Sequence, residues 1–84
     1  MIKVSTLATI AEKHARAVAK HDWTGYTLDD MGKAFTGETF EMGQAEERGQ
    51  IHGPHGLIDE AYDAIAVLIR MVETLEATPD VNPQ

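Results

Sequence analysis

Apolar residues recur along this chain at helical spacing in three stretches. The first runs from about Thr6 to His21, where Leu7, Ile10, Ala11, Ala17 and Val18 form a stripe with His14 and His21 on the same face. Ser5 or Thr6 is the expected N-cap. The segment from His21 to Tyr26 breaks the pattern, with Gly25 as its turn residue. A second stretch opens at Thr27-Leu-Asp-Asp30, a Thr-x-x-acid capping pattern, and continues to about Arg48. Its stripe is Leu28, Met31, Phe35, Met42 and Ala45, and Glu38 falls in the middle of it. Gly32, Gly37 and Gly43 lie inside this helix, each costing about 1 kcal/mol relative to alanine, so the helix depends on packing. Gly32 and Gly43 share a face on which another backbone fits.

Gly49 to Gly56 holds three glycines and Pro54, which predicts a loop. The third helix is expected from about Leu57 to Ala77. Its apolar residues, from Leu57 through Ile65, Leu68 and Val72 to Leu75, cover most of the circumference, so it is buried on several sides. Three helices of this size hardly cover it, and self-association is expected. The pattern thus predicts an all-α helical bundle completed by homo-oligomerisation, as a dimer or dimer of dimers. Residues 1–77 are expected to form one domain, and 78–84, with two prolines, a disordered tail.

Composition narrows the partners. The 84 residues carry fourteen acids against seven bases, for a net charge of −7. A basic stripe for a nucleic-acid backbone is missing, so nucleic acid is not an expected partner. No apolar run approaches the length of a membrane span, which argues against a membrane partner. The chain contains no cysteine and lacks a signal-peptide pattern at its start, which together suit the cytoplasm.

The candidate chemistry lies in two acidic pairs, Glu38-x-x-Glu41 and Glu60-x-x-Asp63, with eighteen residues between Glu41 and Glu60. Spacing of i,i+3 puts both members of a pair on one helix face. Glu38 and Glu60 each interrupt apolar surroundings, where an unpaired carboxylate is costly and must be protonated, paired or metal-bound. Any single acid is more simply explained as reaching the surface or pairing with Lys33, Arg48 or Arg70. Two matched pairs on facing helices favour a hard divalent cation, Mg2+ or Mn2+. His52 and His55 flank Gly53-Pro54 and make only a weak transition-metal signal, and Glu-x-x-His of a di-iron bundle does not occur.

The pattern Glu38-x-x-Glu41, a spacer and Glu60-x-x-Asp63, followed by the apolar run from Ala64 to Ile69, resembles the signature of the MazG-like all-α nucleoside triphosphate pyrophosphohydrolases. The resemblance extends from about Leu28 to Leu75. Gly37 departs from it, standing where many relatives carry a further acid, and so does the short C-terminus, which lacks a later helix and its basic residues. The resemblance implies magnesium-dependent hydrolysis of a nucleoside triphosphate to its monophosphate and pyrophosphate. It makes Glu38, Glu41, Glu60 and Asp63 the metal ligands, with Glu41 as the catalytic residue that orients the attacking water. Cations for phosphate are few: Lys33 and Arg70 are the candidates, while Arg48 complements its helix end. Trp23 and Tyr26 are candidates for stacking on a base, although isolated aromatics beside a turn more often anchor a helix corner or an oligomer interface. A phosphoribosyl-ATP pyrophosphohydrolase shares a related acidic pattern. The alternative of another class is a non-catalytic helical interaction module on the same fold.

Overall fold

The computed structural model describes residues 1–20 and 25–79, and these form three α-helices. Helix α1 spans Val4–Lys20, α2 Leu28–Arg48 and α3 Leu57–Glu76. The protein is an all-α bundle, as the periodicity predicts. Helix α3 lies between the other two and packs on both, whereas α1 and α2 do not pack on each other among the described residues. No helix among the described residues is long and apolar enough to cross a membrane.

The helix boundaries follow local chemistry. Helix α1 starts two residues upstream of the expected Thr6, because the Leu7 amide already bonds to Lys3 O at 3.1 Å. Ser5 and Thr6 are therefore inside the helix and do not cap it. The Ser5 carbonyl accepts from Thr9 Oγ1 at 3.0 Å. At α2 the capping box is complete: the Asp30 amide donates to Thr27 Oγ1 at 3.1 Å, and the Thr27 amide donates to Asp30 Oδ2 at 3.0 Å. Two of the four orphan amides of a helix start gain partners this way. Gly25, the expected turn residue, has φ +82°, a conformation in which a Cβ is strained. Helix α3 ends one residue short of the expected Ala77, and Thr78 caps it by donating to Thr74 O at 2.7 Å. Most of the expected tail, residues 80–84, lies outside the described residues, as do His21 and Trp23.

The connection from α2 to α3 is tied down along its length. Gly49, at φ +67°, terminates α2 in the left-handed conformation that closes many helices. The Leu57 amide then bonds back to Gln50 O at 2.9 Å and the Ile58 amide to Ile51 O at 3.1 Å. Gln50 Nε2 donates to Pro54 O at 2.8 Å and Arg48 Nη2 to His55 O at 2.9 Å. Gly56 is required here by contact: a Cβ at this position would lie 2.7 Å from the His52 carbonyl oxygen.

The core is small. Its buried apolar residues are Met31 and Ala45 from α2 and Ala64, Ala66 and Val67 from α3. Helix α1 contributes no fully buried side chain. Ile58, Leu68, Val72 and Leu75 on α3 stay exposed, as do Phe40 on α2 and Leu7 on α1. The helix expected to be buried on several sides is thus covered on two. The glycines of α2 also differ from expectation. Nothing lies within 4 Å of a Cβ placed at Gly32, Gly37 or Gly43, so packing within the chain does not call for them.

Candidate metal centre

Helices α2 and α3 bring the two acidic pairs together where they pack. Glu60 is 2% exposed, the only charged side chain fully buried among the described residues. Its Oε1 lies 3.1 Å from His55 Nδ1, and its Oε2 is buried with no hydrogen-bond partner. Glu38 is half-buried, and its Oε2 is likewise buried and unpartnered. Oxygens of Glu38, Glu60 and Asp63 all lie within 4.8 Å of one another. Magnesium holds its ligands at about 2.0–2.1 Å and calcium at about 2.3–2.6 Å, so opposed ligand oxygens sit roughly 4–5 Å apart. The three carboxylates therefore match the size and the oxygen donor set of a hard-cation site. Glu41 is exposed on α2 and lies beside the three, not among them.

The electrostatics agree with this crowding. Burial, and then the charges of Glu41 and Asp63, push the Glu38 carboxyl up to about 7. Burial and the adjoining Glu41 carboxyl also raise Glu60, with His55 opposing. Asp63 is raised by burial, against the pull of Lys13. Carboxylates so placed are costly as anions in water alone, and a divalent cation offsets that cost.

Two neighbours, Lys13 and Asp59, escaped the sequence reading, and a third, His55, stood in it only as a weak transition-metal signal. Lys13 reaches in from α1 to pair with Asp59, and its Nζ lies 3.8 Å from Asp63 Oδ1. The hydrogen bond to Asp59 raises Lys13 and lowers Asp59. His55 is the other surprise. Instead of standing alone in a loop, it joins Asp59 and Glu60 in a second group whose ligand atoms lie within 4.8 Å of one another. The fully helical register of α3 and the fixed loop put an imidazole over the first turn, which spacing of His55 to Asp59 and Glu60 alone allowed but did not establish.

Beside Glu38 and Asp63 is a cleft of about 240 Å³, walled by Ala17, Ala34, Ala66, Val67 and Tyr26. It sits just below the size range of roughly 300–1,000 Å³ typical of small-molecule pockets. Lys33 lines a neighbouring open depression with Tyr26, Asp30 and Ala34, and is itself paired with Asp29 at 3.1 Å on an exposed face. Arg70 is half-buried on α3, one turn after Ala66 and Val67, and does not itself line the cleft. Trp23 lies outside the described residues. His14 spans α1 and α3, with Nε2 3.1 Å from Glu73 Oε1, and is remote from the acidic group.

No protein-family model, no curated protein and no solved structure matches this chain.

Proposed function

We propose that the protein binds Mg2+ or Mn2+ on the carboxylates of Glu38, Glu60 and Asp63, with Glu41 at the edge. We further propose that it hydrolyses a nucleoside triphosphate to the monophosphate and pyrophosphate. The observation that carries the metal reading is Glu60, 2% exposed with one oxygen buried and unpartnered. A buried carboxylate oxygen left without a donor is costly, and a cation between Glu60, Glu38 and Asp63 removes that cost. The reaction itself rests on the resemblance of the four acids to the MazG-like signature.

Glu38 from α2 and Glu60 and Asp63 from α3 would hold the ion, which when bound would supply neutralisation of phosphate charge and a more acidic water. Glu41, exposed and next to them, orients the attacking water and accepts its proton. Water oxygen bonds to phosphorus as the bridging oxygen between the α- and β-phosphoryl groups leaves with the pyrophosphate side. The alanine-walled cleft offers an apolar surface for the rest of the nucleotide. Lys33, which lines the neighbouring depression with Tyr26 and Ala34, stands as a phosphate contact; Arg70 and Trp23 are weaker candidates.

Self-association belongs to the same reading. Exposed Leu68, Val72 and Leu75 continue along one helix whose buried residues are Glu60, Ala64, Ala66 and Val67. A second copy would cover a face that a monomer leaves in water. Sedimentation at micromolar concentration tests this, and a monomer refutes it. A location in the cytoplasm is consistent with the lack of cysteine.

The decisive assay incubates the protein with each common NTP and dNTP plus magnesium and follows pyrophosphate release. At least one nucleotide is turned over, and Glu41→Gln or Asp63→Asn lowers the rate by at least about a hundredfold. Absence of turnover with every nucleotide returns the helical interaction module as the better reading.

A further inference from the structure

Asp59 has both oxygens engaged. Oδ1 holds the Lys13 ammonium, and Oδ2 accepts the His55 amide at 3.2 Å. Lys13 also lies 3.8 Å from Asp63 Oδ1, so a single ammonium touches both acidic groups of α3. Those groups share Glu60: one is Glu38, Glu60 and Asp63, the other His55, Asp59 and Glu60. Beside the first candidate metal position there is thus a second set of ligand atoms of the right spacing, with the Lys13 ammonium held on its Asp59. That the surroundings call for a cation is indicated by the buried, unpartnered Oε2 of Glu60, the residue the two groups share.

We propose that Lys13 is a tethered cation standing where a second divalent ion would otherwise bind, and that it limits the acidic face to one metal per chain. The proposal rests on the metal reading above and deepens it. An ammonium is a compact point charge on a flexible stem, so it reaches Asp59 and Asp63 from α1 without demanding a fixed coordination geometry. With Lys13 in place, Asp59 is neutralised and an incoming dication meets a fixed positive charge a few ångströms away. Without it, Asp59 regains a free oxygen, and His55, Asp59 and Glu60 offer one nitrogen and two carboxylates. Manganese accepts such a mixed set readily, which makes it the suitable probe.

The test counts bound Mn2+ on the full chain by equilibrium dialysis and by loss of the free-ion paramagnetic resonance signal. Wild type takes up one ion per chain and Lys13→Met two, the pair showing the broadened signal of neighbouring ions. The first ion binds on the order of tenfold tighter once the like charge is removed. Lys13→Arg, which keeps the charge, stays at one, and adding His55→Ala to Lys13→Met returns the count to one. Lys13→Gln is measured in parallel, and the substitution that preserves wild-type helix content by circular dichroism decides. One ion in both wild type and the neutral variants overturns the proposal and leaves the first metal site standing. Two ions in wild type also overturn it. No ion in wild type removes the metal reading and this inference with it.

Discussion

Replacing Glu38 by glutamine isolates the electrostatic cost of the acidic face. The Glu38 carboxyl is displaced from its ordinary 4.5 to about 7. A group bound more tightly by protons in the folded state stabilises the fold below its unfolded pKa and loses that contribution as pH rises through the folded value. The metal-free protein is therefore most stable near pH 4.5 as far as Glu38 is concerned, and weakens between about 4.5 and 7. At about 1.4 kcal/mol per tenfold change in proton affinity, the loss has an upper bound of about 3 kcal/mol. Glu38 is only half-buried, and solvent screening lowers the figure to about 2 kcal/mol. Glu60 and Asp63, also raised, act in the same direction. Asp59 is lowered and acts oppositely, its contribution disappearing only as pH falls below the ordinary carboxylate range.

Glutamine keeps the shape and removes the charge. In a chelator at pH 8, Glu38→Gln is expected to raise stability by about 2 kcal/mol, equivalent to roughly 10 °C in melting temperature for a domain this small. At pH 4.5 the two proteins should melt together. Adding magnesium stabilises wild type by mass action and leaves the variant nearly unmoved. Urea and thermal unfolding followed by circular dichroism, across pH 4.5 to 8, with and without magnesium, measure all of this. Metal-free stability that is flat or rising over that interval, or a variant weaker than wild type at pH 8, refutes the argument.

Gly56→Ala puts a Cβ within 2.7 Å of the His52 carbonyl oxygen, a backbone atom that cannot step aside. A loss of roughly 2–4 kcal/mol in urea unfolding is expected, with weakened metal binding because Glu60 follows one turn later. Gly43→Ala meets nothing within 4 Å and should stabilise α2 by about 1 kcal/mol, read from the denaturation midpoint. A loss at Gly43 instead would indicate a close backbone from a second copy.

Local chemistry made much of the fold legible. The capping box at Thr27, the glycine turn at Gly25 and the loop from Gly49 to Gly56 are visible because each depends on residues adjacent in the chain. The start of α1 was less so, since Ser5 and Thr6 satisfy cap preferences equally well inside a helix whose first amides bond backward to Lys3. Glu60 was readable as a buried acid because its neighbours Leu57, Ala61 and Ala64 surround it on the helix. Lys13 carried the same kind of signal, three residues after Ile10 and four before Ala17 on the packing face of α1. What hid its role was its partner, since Asp59 is 46 residues away and only the docking of two helices joins them. His55 depended on a loop conformation, including its own φ of +61°, that spacing does not determine.

The separate attachment of α1 has a consequence for the order in which the molecule assembles. Helices α2 and α3, joined by a short, internally bonded loop, meet through contacts close in the chain and can form a hairpin early. Among the described residues, helix α1 has no deeply buried anchor and packs only on α3, so it docks late and undocks at small cost. Its amides should exchange with deuterated water through an opening that leaves the hairpin closed. During each such opening the acidic face loses its lysine, so solvent ions have a brief, recurring chance to enter the place that Lys13 guards.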